Sequence, residues 1–388
     1  MADIKANDST YIANTYARFP LQIVKGKGAV AYDETGKKYI DLGAGIAVNS
    51  FGYADDVWQE AVIAQVRALQ HTSNLYYTEP CVKLAKMLCE RAGMCRVFFS
   101  NSGAEANECA IKTARRYSFL KYGEGRHTII TLKNSFHGRT ITTLAATGQD
   151  SFHTEFGPFT EGFVYATPGD IPELHRLTDE NACAAIMIET IQGEGGVNEL
   201  PADYIAEIVK LGKEKDILII VDEVQTGNGR TGELYSFMHY GFTPDIVSTA
   251  KGLAGGLPLG ATMLGEKVKD TLTPGSHGST FGGNPVCCAG AVSVLERIDD
   301  AFLADVRKKS DYIRAQLEGA PGVVSVSGRG LMLGIECTRP AKEVIADCLA
   351  GGVLVLSAKT KVRLLPPLSI GFDELAEAIA ILKEALAK

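Results

Sequence analysis

Residues 245–256 read Asp245-Ile-Val-Ser-Thr-Ala-Lys251-Gly252-Leu-Ala-Gly255-Gly256, which places a lysine between an apolar strand and a glycine loop. Upstream, a second apolar run at 217–221 ends in Asp222-Glu223-Val224-Gln225. Because the carboxyl ends of successive parallel strands share one edge of a sheet, we expect Lys251 and Asp222 to meet there. This stretch therefore predicts an α/β fold with a ligand site at that edge.

Strand and helix patterns alternate through most of the chain around this stretch. We predict strands at 97–99, 128–132, 184–188, 217–221 and 246–247, with helices starting near Ala104 and Asp203. Such alternation implies a mostly parallel central sheet with helices on both faces. A long helical stretch is predicted over 286–317, and a smaller α+β unit follows it.

The same patterns predict three segments. Residues 1–52 contain short β-strands and contribute to a small domain. Residues 53–290 form the large ligand-binding domain, and residues 291–388 form the C-terminal small α+β domain.

Composition restricts the class of protein. The 388 residues carry a net charge of -7 and contain no basic tract, which argues against nucleic acid as a partner. Residues 1–10 lack the apolar segment of a signal peptide, and no apolar run is long enough to span a membrane. The nine cysteines include no Cys-x-x-Cys pair, so no metal site is expected. Their odd number, with no export signal, predicts free thiols and a cytoplasmic location.

The Lys251 and Asp222 pair suits pyridoxal 5'-phosphate. A lysine condenses with the aldehyde of this cofactor, and an aspartate holds the ring nitrogen protonated. Each residue alone also fits a simpler role, Lys251 as a solvated surface lysine and Asp222 as a helix cap. The turn Ser102-Gly103-Ala104 opens a predicted helix, where backbone N–H groups bind phosphate well, although serine there is equally expected as a cap.

The segment Phe136-His137-Gly138-Arg139 follows the strand at 128–132. Phe136 could stack on the pyridine ring and Arg139 could pair with a carboxylate. The alternative places Phe136 in the core and Arg139 on the surface. We predict a structural role for His137, because the lysine already does the proton work.

With these motifs in view, nearly the whole chain resembles the class III, fold-type I pyridoxal-phosphate aminotransferases. The matching segments occur in family order: 101–107, 136–140, 189–196, 222–227, 251–256 and 279–284, followed by Arg363 in Val-Arg-Leu-Leu-Pro-Pro. Each segment is moderately specific, whereas their joint order is highly specific. One departure is Gly52-Tyr53-Ala54-Asp55-Asp56, where relatives carry Gly-His and then His-Pro, and we interpret it as a local variation.

The resemblance implies a role for each matching residue. Lys251 and Asp222 would be the catalytic pair. The cofactor would also contact Ser102, Gly103, Ala104, Phe136, Glu223, Val224, Gln225 and, from the neighbouring subunit of a homodimer, Thr280. Substrate would contact Arg139, Ser279, Glu194 and Arg363, with Arg363 taking the α-carboxylate of glutamate or 2-oxoglutarate.

The implied reaction poses a charge problem. When a donor reacts through a distal amino group, Arg363 has no carboxylate to pair with, and a lone buried charge costs roughly 3–5 kcal/mol. Glu194 could pair with Arg363 in one half-reaction and swing away in the other. Alternatively, Glu194 is a surface acid in a glycine turn.

The donor is inferred from Gly45, which aligns where ornithine aminotransferases carry a bulky tyrosine. A glycine leaves room for an N-acyl group, so the resemblance implies transfer from N-acetylornithine to 2-oxoglutarate, as in arginine biosynthesis. N-succinyl-diaminopimelate is a further donor of some such enzymes. Ornithine, succinylornithine and 4-aminobutyrate stay open as alternatives.

Two other classes compete with this interpretation. A glutamate-semialdehyde-type aminomutase would reuse the lysine and aspartate without an external acceptor, and the presence of Arg363 with Glu194 favours a transaminase over it. A non-catalytic binding protein on the same fold is disfavoured by the intact set of Lys251, Asp222 and Phe136.

Overall fold

The apolar runs of the sequence form strands, and the amphipathic segments between them form helices. The structure is a computed structural model that describes residues 4–388. The helices are α1 (Ile4–Tyr11), α2 (Ala44–Ala47), α3 (Asp56–Ala68), α4 (Glu79–Ala92), α5 (Gly103–Tyr122), α6 (Ile141–Ala146), α7 (Ile171–Glu180), α8 (Ala202–Glu214), α9 (Pro285–Leu295), α10 (Asp300–Leu317), α11 (Ala341–Gly351) and α12 (Phe372–Ala387). Short 3₁₀ helices cover Asp150–Phe152, Ser236–Tyr240 and Lys251–Leu253.

The strands are β1 (Ile23–Lys27), β2 (Val30–Asp33), β3 (Lys38–Asp41), β4 (Arg96–Ser100), β5 (Thr128–Leu132), β6 (Phe163–Ala166), β7 (Cys183–Ile188), β8 (Ile191–Gln192), β9 (Asn198–Glu199), β10 (Leu218–Asp222), β11 (Ile246–Thr249), β12 (Gly260–Leu264), β13 (Val323–Arg329), β14 (Met332–Cys337), β15 (Val353–Leu354), β16 (Leu356–Ala358) and β17 (Lys361–Leu364).

Seven strands form the central sheet, in the order β4-β12-β11-β10-β7-β5-β6. Neighbours from β11 to β6 run parallel, whereas β12 runs antiparallel to both β11 and β4. The predicted mostly parallel sheet is therefore confirmed. Two of its strands were not predicted, the parallel β6 and the antiparallel β12. In the β10–β11 pair, Asp222 lies opposite Ser248, which brings the ends of these two strands together.

Helices cover both faces of this sheet, because alternate strand residues point to opposite sides. Ala185 and Met187 of β7 pack with residues of α5 on one face. Ile186 and Ile188, their neighbours in sequence, belong to the core cluster that includes α8 on the other face. The fold class expected of a fold-type I transferase is thus confirmed.

Two smaller sheets lie outside the central sheet, in the orders β1-β2-β3-β15 and β13-β14-β17-β16. The pairing of β15 with β3, with Val353 opposite Ile40, joins the N-terminal strands to the C-terminal residues. Residues of α10, α11 and α12 share one core cluster with these strands. The domain boundaries at residues 52 and 290 stay a prediction.

The long helix predicted over 286–317 is wrong in one respect, because the structure divides it into α9 and α10. The break has a local cause: the Asp299 side chain accepts a hydrogen bond from the N–H of Phe302 at 2.8 Å and so caps the second helix. Within residues 4–388, no helix is both long and apolar enough to cross a membrane.

Candidate active site

Lys251 and Asp222 line the same cavity, whose volume is about 480 Å³. Asp222 is the last residue of β10, and Lys251 begins the 3₁₀ helix that follows β11. Lys251 has a backbone φ of 45°, in the left-handed region that non-glycine residues rarely adopt. Such strain persists where the surrounding structure fixes a residue for function. The structure therefore places these two side chains at the same edge of the sheet, as predicted.

The Asp222 carboxylate is held by three donors. Its Oδ2 accepts hydrogen bonds from Asn107 Nδ2 at 2.7 Å and from His137 Nδ1 at 2.8 Å. Its Oδ1 accepts from the backbone N–H of Val224 at 2.9 Å. Asn107 is fixed in turn, because Ser248 Oγ donates to its Oδ1. These bonds orient a buried carboxylate toward the cavity.

The N-terminus of α5 forms another wall. Ser102 caps this helix, since its Oγ accepts from Glu105 N at 3.2 Å, and the first N–H groups of a helix have no intrahelical acceptor. Ser102, Gly103 and Ala104 all line the cavity. A Cβ on Gly103 would lie 2.7 Å from Cγ1 of Val224, so the close approach of these two segments requires glycine. The start of α5 thus offers free N–H groups to the cavity, and the binding of phosphate there stays a prediction.

The loop after β5 brings Phe136 and Arg139 to the cavity. Gly138 makes this loop possible, because its φ is 143° and a Cβ there would lie 2.8 Å from the Cβ of Ala104. The guanidinium carbon of Arg139 lies 4.1 Å from the ring centroid of Phe152 and 5.4 Å from that of Phe136.

Two ionisable groups of the cavity have shifted pKa values. Burial lowers the pKa of the Lys251 amine, and the negative charge of Glu194 opposes that effect. Burial also raises the pKa of Glu189 to about 7, with a smaller contribution from Asp222. Glu189 accepts hydrogen bonds from the N–H groups of Phe136 at 2.9 Å and Gly193 at 3.3 Å. The cavity thus contains an amine that loses its proton more readily than an exposed lysine does.

Glu194 and Arg363 form a two-point ion pair next to Gln225. Arg363 Nη1 donates to Glu194 Oε1 at 2.6 Å, and Nη2 donates to Oε2 at 3.3 Å. Gln225 bridges the pair, because its Nε2 donates to Glu194 and its Oε1 accepts from Arg363. Burial opposes ionisation of Glu194, but the charge and hydrogen bonds of Arg363, together with Lys251 and Gln225, outweigh burial and lower the pKa of the carboxyl. Arg363 is only 3% exposed.

Some predicted site residues lie elsewhere. The prediction that Glu223 contacts the cofactor is not supported, since its carboxylate is fully buried and accepts from Thr226 Oγ1, Ser236 Oγ and the N–H of Phe237. Thr280 is exposed. Ser279 is half-buried, and its Oγ accepts from Asn101 Nδ2. These two residues stay predictions for an assembly of two copies.

Gly45 lies on a second cavity, of about 380 Å³, together with Arg18 and Leu356. Of the segment 43–49, which contains Gly45, Val48 is the residue that lines the Lys251 cavity. The inference that a glycine here makes room for an N-acyl group is therefore not supported by this single chain. In the departing segment at 52–56, Tyr53 donates to Asp41 Oδ2 at 2.7 Å and Asp55 caps α3, so this variation has a local structural role.

No site role was predicted from the sequence for Asn107 or Glu189, and only a structural role was predicted for His137. A signal existed for Asn107, which lies four residues after Gly103 and so on the same face of α5. His137 follows Phe136 in the loop, and its Nε2 is a buried nitrogen with no hydrogen-bond partner among the described residues. All three line the cavity.

The residues present fit pyridoxal phosphate. An amine, a carboxylate, an aromatic wall and a helix N-terminus surround one cavity. These match the aldehyde, the ring nitrogen, the ring face and the phosphate of that cofactor in turn.

Known proteins resemble this chain over its full length. It matches the Aminotransferase class-III family over residues 11–386. The acetylornithine aminotransferase of Haemophilus ducreyi is 51% identical over 99% of this chain and 98% of that protein. That of Bacillus subtilis is 43% identical, with 96% of this chain and 97% of the relative covered.

Solved structures of aminotransferases also resemble this chain over nearly its full length. The ornithine aminotransferase from Toxoplasma gondii ME49 superposes with a TM-score of 0.94 at 33% identity, covering 99% of this chain and 94% of that one. The N-acetylornithine aminotransferase from Stenotrophomonas maltophilia K279a gives a TM-score of 0.85 at 32% identity, covering 98% of each chain.

Proposed function

Because this chain belongs to the class III aminotransferases, which depend on pyridoxal phosphate, we propose that it moves the distal amino group of N-acetylornithine to 2-oxoglutarate. The products are N-acetylglutamate 5-semialdehyde and glutamate, and the reaction serves arginine biosynthesis. N-succinyl-diaminopimelate is a second donor in this proposal. Relatives that bear the name acetylornithine aminotransferase, up to 51% identical over the full length, support the choice of donor.

The Glu194–Arg363 pair carries the proposal. A transaminase that uses glutamate needs a cation for the α-carboxylate beside the reacting amine. A donor that reacts through its distal amine brings no carboxylate to that place. With Glu194 paired to it, Arg363 has a partner while such a donor reacts, and the arginine becomes available when Glu194 moves away.

Pyridoxal phosphate, when bound, would supply an aldehyde for the substrate amine and a ring that draws electrons from the carbon that bears this amine. Asp222, oriented by Asn107, His137 and the N–H of Val224, keeps the ring nitrogen protonated. Lys251 Nζ then removes the proton from the amine-bearing carbon, and its lowered pKa leaves more of the amine neutral for this task.

Other residues would hold and orient the cofactor and the substrate. Phe136 and Val224 would confine the ring, while the N–H groups at the start of α5 would bind the phosphate. Gln225 lines the cavity and bonds with Glu194 and Arg363, and it would also hold the oxygen substituent of the ring. Arg139 and Ser279 contact the substrate, with Arg139 available for the carboxylate farthest from the reacting amine.

The proposal includes a homodimer in which Thr280 of each copy completes the phosphate site of the other. Large apolar side chains near this loop support it, because Leu75, Tyr77 and Phe281 are 88%, 99% and 59% exposed in one chain. Exposed apolar groups of this size are typical of protein interfaces. All nine cysteines are free, which is typical of a reducing compartment and supports the cytoplasm as the location.

A donor panel tests the proposal. The enzyme is supplied with 2-oxoglutarate and, separately, acetylornithine, succinylornithine, ornithine, succinyl-diaminopimelate or 4-aminobutyrate. We expect the highest kcat/KM for acetylornithine, and no turnover by the Lys251→Ala variant, which serves as the control. A higher kcat/KM for free ornithine or 4-aminobutyrate would reject the proposed donor, and turnover without 2-oxoglutarate would indicate an aminomutase.

A further inference from the structure

Arg139 is a cavity cation without a counterion. Among residues 4–388 no carboxylate lies within 4.0 Å of its guanidinium, whereas Arg363 and other arginines of this part of the chain are paired with carboxylates. Its contacts are with rings instead: the guanidinium carbon is 4.1 Å from the Phe152 centroid. Phe136, which also lines the cavity, is farther away, at 5.4 Å.

The short 3₁₀ helix that carries Phe152 is anchored on both sides. Before it, Gln149 Nε2 donates to the backbone oxygen of Ser135 at 3.0 Å, which ties the segment to the loop that holds Phe136. After it, the His153 ring nitrogen Nε2 lies 2.9 Å from the backbone oxygen of Leu144. Phe152 also meets Phe136 edge-on, with centroids 6.0 Å apart and ring planes at 71°.

A guanidinium that stacks on an aromatic ring uses its flat face and keeps its N–H groups free in the plane. Arg139 therefore retains its full set of donors for a carboxylate that enters the cavity. We propose that Phe152 is a positioning residue, whose ring sets the plane of the Arg139 guanidinium and so selects substrates with a carboxylate at the end remote from the reacting amine. This inference rests on the proposed function, in which Arg139 contacts substrate.

The inference makes a selective prediction. Acetylornithine has a carboxylate remote from its reacting amine, whereas N-acetyl-1,4-diaminobutane has the same chain, amide and amine without it. Replacement of Phe152 by leucine keeps apolar bulk but removes the ring face. We expect Phe152→Leu to lower kcat/KM for acetylornithine at least fivefold, mainly through KM, and to leave that for N-acetyl-1,4-diaminobutane within twofold of wild type.

The experiment measures single-turnover absorbance of the cofactor-loaded enzyme with each donor. Phe152→Tyr, which keeps a ring face, should restore acetylornithine to within twofold. Phe163→Leu is the matched control, because Phe163 stacks with Arg115 at 5.0 Å on another part of the chain, and both donors should be unaffected. In an Arg139→Met background, Phe152→Leu should have no further effect on acetylornithine.

Equal losses for both donors would mean that Phe152 only supports the loop, and no loss for either would mean that Arg139 needs no platform. Either result overturns the inference. Failure of the proposed donor is a separate result: wild-type enzyme would leave acetylornithine unreacted but still react with glutamate. Glutamate, which has a second carboxylate, and L-2-aminobutyrate, which lacks one, then replace the first pair of donors with the same expected selectivity.

Discussion

Glu194 Oε1 lies 2.6 Å from Arg363 Nη1, and Glu194 Oε2 lies 3.3 Å from Arg363 Nη2. The arginine side chain is 4% exposed, whereas that of the glutamate is 31% exposed. Because only the glutamate borders open space, it is the partner that can swing away. Glu194 therefore covers the Arg363 guanidinium, and a substrate carboxylate can displace the Glu194 carboxylate from it.

Lys251→Ala should abolish turnover, because the amine that transfers the proton is lost, while cofactor can still bind non-covalently through the remaining walls. Borohydride reduction of the wild-type enzyme, followed by peptide mapping, should find the cofactor attached to Lys251. Lys309 is a buried lysine on α10 and serves as an internal control. A label on Lys309 or on any other lysine would reject the assignment.

Asp222→Asn should lower turnover by several orders of magnitude and leave the fold intact. Asparagine is of similar size, so it can keep the acceptor contact with Val224 N–H, but it removes the charge that keeps the ring nitrogen protonated. The measurement is kcat together with the thermal transition of the holoenzyme. A variant with unchanged stability and a kcat within tenfold of wild type would show that another group does this work.

Asn107→Ala should have a smaller effect than Asp222→Asn, because one of three donors to the carboxylate is lost. An unmade buried hydrogen bond costs about 1–3 kcal/mol, which corresponds to a fall in kcat of roughly fivefold to 150-fold if the loss is felt in the transition state. Asn181→Ala removes a side-chain bond to the backbone at the end of α7 and is the control. A fall no larger than that of Asn181→Ala would contradict a role for Asn107 at Asp222.

The residues around the Asp222 carboxylate show what the sequence could and could not predict. The meeting of Lys251 and Asp222 follows from strand order alone, and it was predicted. The contact of Asn107 with Asp222 depends on how α5 is rotated against the sheet, which no short motif specifies. A structural role was predicted for His137, but no partner was named for it, because loop residues have no periodicity from which to infer a contact.

The burial of the Glu223 side chain away from the cavity has a physical reason that the sequence contains. Asp222 ends a strand whose side chains alternate between the faces, so the next residue should point away from the site. Strand β12 was missed because its short apolar run follows a glycine loop and runs antiparallel to its neighbours. The break between α9 and α10 depends on one cap, Asp299, within an otherwise helical pattern.

Capture of the cofactor by apoenzyme should depend on pH through Lys251. Only the neutral amine condenses with an aldehyde, and burial lowers the pKa of this amine from its usual 10.5. The rate of capture should therefore rise with pH and reach its midpoint below pH 10.5. Stopped-flow absorbance between pH 6 and 11 measures this.

Glu194→Ala should move that midpoint to lower pH, because Glu194 raises the pKa of Lys251 and Arg363 lowers it. Removal of the glutamate leaves the arginine charge unopposed. The Glu199→Ala variant breaks another glutamate–arginine pair, with Arg329, and should leave the midpoint in place. A midpoint at or above 10.5, or one that rises in Glu194→Ala, would contradict this account of the site.

The most direct test of the central claim compares two half-reactions in Glu194→Ala, by single-turnover absorbance of the bound cofactor. At an effective dielectric of about 20, charges 4 Å apart interact by roughly 4 kcal/mol before desolvation, so even partial loss should change the ratio of the two rates by more than tenfold. We expect slower reaction with acetylornithine, which can then bind Arg363 backwards through its α-carboxylate, and equal or faster reaction with glutamate. Glu199→Ala should leave both rates as in wild type. Equal slowing of both half-reactions in Glu194→Ala would contradict the claim that Glu194 covers Arg363 in one half-reaction and releases it in the other.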